Sequence, residues 1–191
     1  MEIIFIVCSF CVLDHCLIIS YFIFGIKKTK KFEAELKNST LSVSVIIAAR
    51  NEEKNIKDNL HAVLSQQFSN YEVILVNDHS DDTTQELVKE LVVRHKILTY
   101  LKLDDGETGK KSAITKGINA AKGELIVLTD ADCLVSSKWL SSIVLFYEKE
   151  KPDLILLPVF IKSENSFFGK MQELESLSLM AVTAASASTC G

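Results

Sequence analysis

Two carboxylates, Asp130 and Asp132, stand two residues apart where the apolar run 124–129 ends. Side chains alternate across a strand, so residues i and i+2 at a strand end point the same way. Two anions that close repel unless a cation lies between them. Oxygen donors of this kind suit Mg²⁺ or Mn²⁺, with a phosphorylated ligand as its companion. A polar loop after a buried strand can show the same pattern, so the motif takes its meaning from its neighbours. These are Arg50-Asn-Glu-Glu53, Asp78-His-Ser-Asp-Asp82 and Gly109-Lys-Lys-Ser-Ala113. Carboxylates such as Glu52 and Asp78 accept from N–H and O–H groups. Lys110 or Lys111 can meet a phosphate as a point charge. His79 is a group able to titrate near neutral pH, with no partner evident in the sequence.

Short apolar runs predict strands over 43–49, 72–77, 97–103, 124–129 and 153–160. Between them, apolar residues recur at helical spacing: Ile56, Leu60, Val63 and Leu64; Leu87, Leu91 and Val92; Ile114 and Ile118; Leu140, Val144 and Phe146. Thr83 with Glu86 makes a capping box for the second helix. Repeated β-α units with near-continuous apolar strands imply an α/β fold, a Rossmann-like, mostly parallel sheet with helices on both faces. Such sheets bind ligands beyond the carboxyl ends of their strands. The clusters after the first, second and fourth strands all fall on that rim.

Ser44-Val-Ile-Ile-Ala-Ala-Arg-Asn-Glu-Glu53, Val76-Asn-Asp-His-Ser-Asp-Asp82, Gly109-Lys-Lys-Ser-Ala113 and Thr129-Asp-Ala-Asp132 resemble, in order, the motifs of the family 2 glycosyltransferases, which have the GT-A fold. The resemblance implies inverting transfer of a sugar from a nucleotide diphosphate sugar to a glycan or lipid acceptor, with Mg or Mn as divalent cation. A UDP-sugar is favoured and a GDP-sugar possible. It implies that Asp132 holds the metal together with Asp130, which also lies near the ribose and donor sugar. Asp78 would hydrogen-bond the nucleobase, Glu52 would lie near the ribose, and Ala48, Arg50 and Lys110 would complete the nucleotide-sugar site. A metal there stabilises the departing diphosphate as a Lewis acid. The glycine pattern of a P-loop or dinucleotide fingerprint is missing.

Two departures stand out. Asn77 and His79 replace the first Asp and the Gly of the family's Asp-Asp-Gly-Ser, which leaves the loop geometry open. The family's later acidic general base and its Gln-x-x-Arg-Trp have no counterpart here, where Trp139 is the only tryptophan. The expectation is a donor-binding half, inactive by itself, with the catalytic base beyond Gly191. A non-catalytic nucleotide-sugar-binding module is the alternative.

The chain has 191 residues, 48% of them hydrophobic, which allows one domain and an appendage. Residues 3–26 are nearly all apolar, about the length of a membrane-spanning helix. Met1-Glu2 is not the basic start of a cleavable signal, so 1–26 is expected to be an uncleaved anchor. A central Asp14 costs about 2.5 to 3.5 kcal/mol, which the surrounding Ile, Leu, Phe and Val outweigh. Asp14 and His15 fit either a contact to another membrane helix or a tolerated blemish. Lys27, Lys28, Lys30 and Lys31 then place the catalytic domain on the cytoplasmic side, with membrane lipid as a partner. The resulting division is anchor 1–26, basic connector 27–41, GT-A nucleotide-sugar-binding domain 42–165 and a helix at 166–191 beginning the acceptor side. A membrane interaction protein built around the anchor is a further alternative. Cys8, Cys11 and Cys16 lie in the apolar stretch and Cys133 and Cys190 are far apart, with no His-rich partner, so the cysteines read as reduced thiols rather than zinc ligands. A net charge of −4 gives no footprint for nucleic acid.

Overall fold

The structure, a computed structural model, describes residues 12–13, 16–24, 27, 39–161 and 166–190. The chain divides into two compact units, Ala34–Pro152 and the segments Met1–Glu33 with Asp153–Gly191. The first unit carries a four-stranded parallel sheet: β1 Val43–Ala49, β2 Tyr71–Asn77, β3 Leu98–Lys102 and β4 Leu125–Asp130, in the order β3-β2-β1-β4. Helices α1 Ile56–Leu64, α2 Thr84–Arg94 and α3 Lys110–Ala120 connect successive strands, and α4 Trp139–Glu150 follows β4. The second unit contains α5, Phe167–Cys190.

The sequence dictates this sheet through strands that are apolar on both faces. In β1 every side chain except that of Ala48 is buried. Ile46, Ile74 and Val76 alternate toward α3, where Val76 and Ile74 form a core with Leu103 and Ala113. Gly117 of α3 packs so closely that a Cβ there would lie 2.4 Å from Ile46 Cγ2. Val45, Ile47, Val73 and Leu75 point to the opposite face and are buried as completely. Helices α1 and α2 lie against each other and α2 against β3, contributing Ile56, Leu60, Val63, Val88 and Leu91 to the core. Each such fully buried side chain contributes about 1.5 to 3 kcal/mol.

Strand order creates the crevice. The chain steps outward from β1 to β3, then α3 returns it to the far side of β1 to form β4. The carboxyl ends of β1 and β4 therefore border a topological switch point, where open α/β sheets bind ligands.

Three expectations are corrected. Residues 153–160 form no strand among the described residues, and Leu154 and Phe160 are 74% and 69% exposed. Apolar character suits a strand, but a strand also needs a partner edge, and all the ladders described join β1 to β4. The capping box at Thr83 and Glu86 does not form, because Thr83 Oγ1 donates instead to Glu53 Oε2 at 2.9 Å. Asp82 Oδ1 accepts the Thr84 N–H in its place, at 3.0 Å.

The membrane anchor, and with it the single-pass localisation with a cytoplasmic catalytic domain, is overturned. Among the described residues no helix is long and apolar enough to cross a membrane. Helix α5 has the length, at 24 residues, but carries Lys170, Glu173 and Glu175. Asp14, His15, Lys28, Lys30 and Lys31 lie outside the described residues.

Candidate functional site

Ala48, Arg50, Glu52, Asp78, Lys110, Asp130 and Asp132 all line one cleft of about 410 Å³ at the carboxyl rim, together with Ala49, Gly109 and Ala131. Register explains why distant residues meet. Ala48 pairs with Asp130 and Ala49 with Asn77, so three strands end side by side. Ala48 is small where the cleft floor is formed.

Two loops on the rim are sewn together. Asn51, in a left-handed conformation at φ 55°, donates its N–H to Ser80 Oγ (3.0 Å) and accepts the Asp81 N–H on its Oδ1 (2.8 Å). The Glu52 N–H donates to Thr84 Oγ1 and the Glu53 N–H to Asp82 Oδ2. The Glu52 carboxylate accepts from Asn55 Nδ2 at 3.0 Å, which anchors its position beside the cleft. These bonds hold the loop after β1 on the first turn of α2.

Asp78 is buried, with a side chain only 6% exposed. Burying a carboxylate is costly unless it is compensated. Its Oδ2 accepts the Gly109 N–H at 2.9 Å and lies 3.7 Å from Arg50 Nη1, while Oδ1 is 3.4 Å from His79 Nδ1. The two departures from Asp-Asp-Gly-Ser have a geometric answer. His79 adopts φ 51°, the left-handed conformation glycine takes most easily. Asn77 Oδ1 accepts both the N–H (3.2 Å) and the hydroxyl (2.6 Å) of Ser80, and Asn77 Nδ2 donates to the Tyr100 hydroxyl. Asn77 thus closes its own turn, an Asx arrangement that stabilises the bend.

At the other end of the cleft, one oxygen each of Asp130 and Asp132 and the sulfur of Cys133 lie within 4.8 Å of one another. The Cys133 thiol is pushed above its usual pKa by burial first, then by the neighbouring Asp132 charge. Hard cations take oxygen in preference to sulfur, which leaves coordination to the two carboxylates. Exposed carboxylates with room for water and phosphate oxygens fit Mg²⁺ or Mn²⁺, which take oxygen ligands and keep several waters. Lys110 Nζ lies 2.6 Å from Asp130 Oδ1, so this carboxylate already holds a cation. Lys110 is the first residue of α3, behind the Gly109 N-cap at φ 91°. Lys111 is not among the lining residues.

Two contributors went unread in the sequence. Gly109 serves Asp78 through its backbone N–H, which no side-chain motif announces. Asn59, fully buried on α1, donates from Nδ2 to the carbonyls of Asp130 (3.0 Å) and Cys133 (2.6 Å). Its signal was a polar residue within the apolar stripe Ile56, Leu60, Val63.

Residues 44–185 match the family model described as glycosyl transferase family 2. The β-monoglucosyldiacylglycerol synthase of Trichormus variabilis is 28% identical over 155 residues, 80% of this chain and 33% of that protein. The chain thus spans about a third of the length of the curated relatives it matches. Among solved structures, the mannosyltransferase PcManGT of Pyrobaculum calidifontis, in complex with GDP-Man and Mn²⁺, superposes with a TM-score of 0.63. Its identity is 23%, covering 73% of this chain and 42% of that one; likeness at that level shows the fold alone. S. aureus TarS 1–349 in complex with UDP-GlcNAc gives a TM-score of 0.54 at 27% identity, covering 66% of this chain and 36% of that one.

Proposed function

The chain belongs to glycosyl transferase family 2, and from that premise we propose that its cleft binds a nucleotide diphosphate sugar with a divalent cation. The bound sugar is presented for inverting transfer to a hydroxyl of a glycan or lipid acceptor. One observation carries this: carboxylates from three separate β-α loops, with Arg50 and Lys110, converge on a single cleft at the switch point. Its volume lies within the roughly 300 to 1,000 Å³ usual for small-molecule sites.

The roles divide along the cleft. Asp78, held by Gly109 and Arg50, accepts from an N–H of the nucleobase, and uracil and guanine both offer one. Glu52 lies on the ribose side with Ala48 as the floor. Asp130 and Asp132 hold Mg²⁺ or Mn²⁺, which when bound neutralises the charge developing on the departing nucleoside diphosphate. Lys110 moves from Asp130 toward the diphosphate oxygens and shares that charge. A UDP-sugar is favoured because the TarS relative, the nearer in sequence of the two structures above, binds UDP-GlcNAc. A GDP-sugar remains the second candidate donor, as in the mannosyltransferase. A lipid acceptor is suggested by the relative that makes β-monoglucosyldiacylglycerol. The nucleotide-sugar-binding domain is assigned to 42–165.

Calorimetric titration of the full chain with UDP and with GDP, each with and without Mn²⁺, tests the proposal. Metal-dependent binding of one nucleotide is expected, and Asp132→Asn is expected to abolish the metal dependence. Absence of metal-dependent binding for both nucleotides would overturn it.

A further inference from the structure

Asp130 to Cys133 form a single turn, closed by the Cys133 N–H donating to the Asp130 carbonyl at 3.2 Å. That turn sets the direction of both carboxylates, since they occupy its first and third positions. One weak bond at a sheet edge is a poor clamp for such a geometry. Asn59 supplies another. Its amide nitrogen has two hydrogens, and they go to the carbonyls at the two ends of this turn, at 3.0 and 2.6 Å.

The other half of the Asn59 amide indicates why an asparagine is there. Among the described residues, Asn59 Oδ1 is the one buried side-chain polar atom without a hydrogen-bond partner. A buried carbonyl left unsatisfied is destabilising, and an apolar residue at this core position on α1 would avoid that cost. Against that cost stand the two Nδ2 donations, which fasten both ends of the turn.

We propose that Asn59 is a positioning residue for the cation site, a buried staple from α1 that fixes the turn bearing Asp130 and Asp132. It touches neither cation nor nucleotide and acts through the backbone of the ligating residues. The inference rests on the assignment of that turn as the divalent-cation site. Partners of metal ligands behave this way elsewhere, their loss typically lowering metal affinity about 10- to 100-fold.

The test is Mn²⁺ binding to the full chain, followed by electron paramagnetic resonance of free Mn²⁺, beside binding of UDP and GDP without metal and the thermal midpoint. Asn59→Leu keeps the volume and removes both donors. It is expected to weaken Mn²⁺ binding about tenfold or more, leaving metal-free nucleotide binding unchanged. Asn59→Ser, whose short hydroxyl cannot bridge two carbonyls, is expected to do the same and covers the case in which the leucine variant fails to fold. A merely structural role would lower the thermal midpoint and both affinities together, and that outcome would overturn the proposal. Wild-type Mn²⁺ affinity in a folded Asn59 variant would overturn it too. Asp132→Asn separates the two readings: if that variant keeps Mn²⁺ binding, the cation site itself is misassigned, whereas its loss beside a fully binding Asn59 variant rejects only the staple.

Discussion

Asp82 does for this fold what its sequence neighbour Thr83 was expected to do. Its two oxygens accept the N–H groups of Thr84 and Glu53, so one carboxylate both starts α2 and ties the loop after β1 to it. Burial alone would raise its pKa, but the hydrogen bonds from the Thr84 side chain, the Thr84 backbone and the Glu53 backbone outweigh this. The carboxyl titrates below its usual range. A folded-state pKa below the unfolded one means that ionised Asp82 favours the fold. That contribution is fully present above the ordinary carboxylate value of about 4 and is lost as pH falls through the lowered folded value. Asp82→Asn should therefore reduce the urea midpoint at pH 7, with the deficit shrinking as both proteins are taken to pH 3. A deficit that stays constant over this range would show that the ionised form carries no special weight. Nucleotide affinity should fall with the same substitution, since Glu52 and Arg50 lie on the tethered loop.

Helix α3 links the sheet to the cleft, because its packing face and its N-terminus serve different ends of the same element. Gly117 seats the helix against Ile46 and Val76, while Gly109 and Lys110 at its start meet Asp78 and Asp130. Gly117→Ala places a Cβ in conflict with the Ile46 side chain on the central strand, and overpacking of this kind costs about 1 to 3 kcal/mol. Chemical denaturation should register that loss even though alanine is the better helix former, and nucleotide affinity should drop as α3 is displaced. Elements of this kind were legible in the sequence because strands buried on both faces read as unbroken apolar runs. The starts and ends of β1 to β4 fall within one or two residues of expectation. The segment 153–160 has the same composition and failed as a strand, since composition does not supply a partner edge. The cleft residues were legible as polar clusters after strands. Their meeting depends on Ala48 pairing with Asp130 across a switch point, and register is written in no single motif. Asn59 and the Gly109 N–H escaped because each acts through backbone groups, which carry no residue signature.

At the scale of the whole molecule, the residues that form the cleft all belong to the unit Ala34–Pro152. About 120 residues lies within the usual range for an independently folding domain. Its core is closed on both faces of the sheet, and its strand ends opposite the cleft are also fastened. Ser44 Oγ accepts the Gly123 N–H and donates to Glu72 Oε1, which accepts the Lys122 N–H as well. Produced alone, 34–152 should unfold in one cooperative transition by circular dichroism and bind the same nucleotide in the same metal-dependent way as the full chain. The affinity should be unchanged within a few-fold. A broad, non-cooperative transition would mean that the sheet requires the second unit to close its core. Cooperative unfolding with lost nucleotide binding would mean that residues beyond Pro152 complete the donor site, and the assigned domain boundary at 165 rather than 152 would then mark the smallest competent piece.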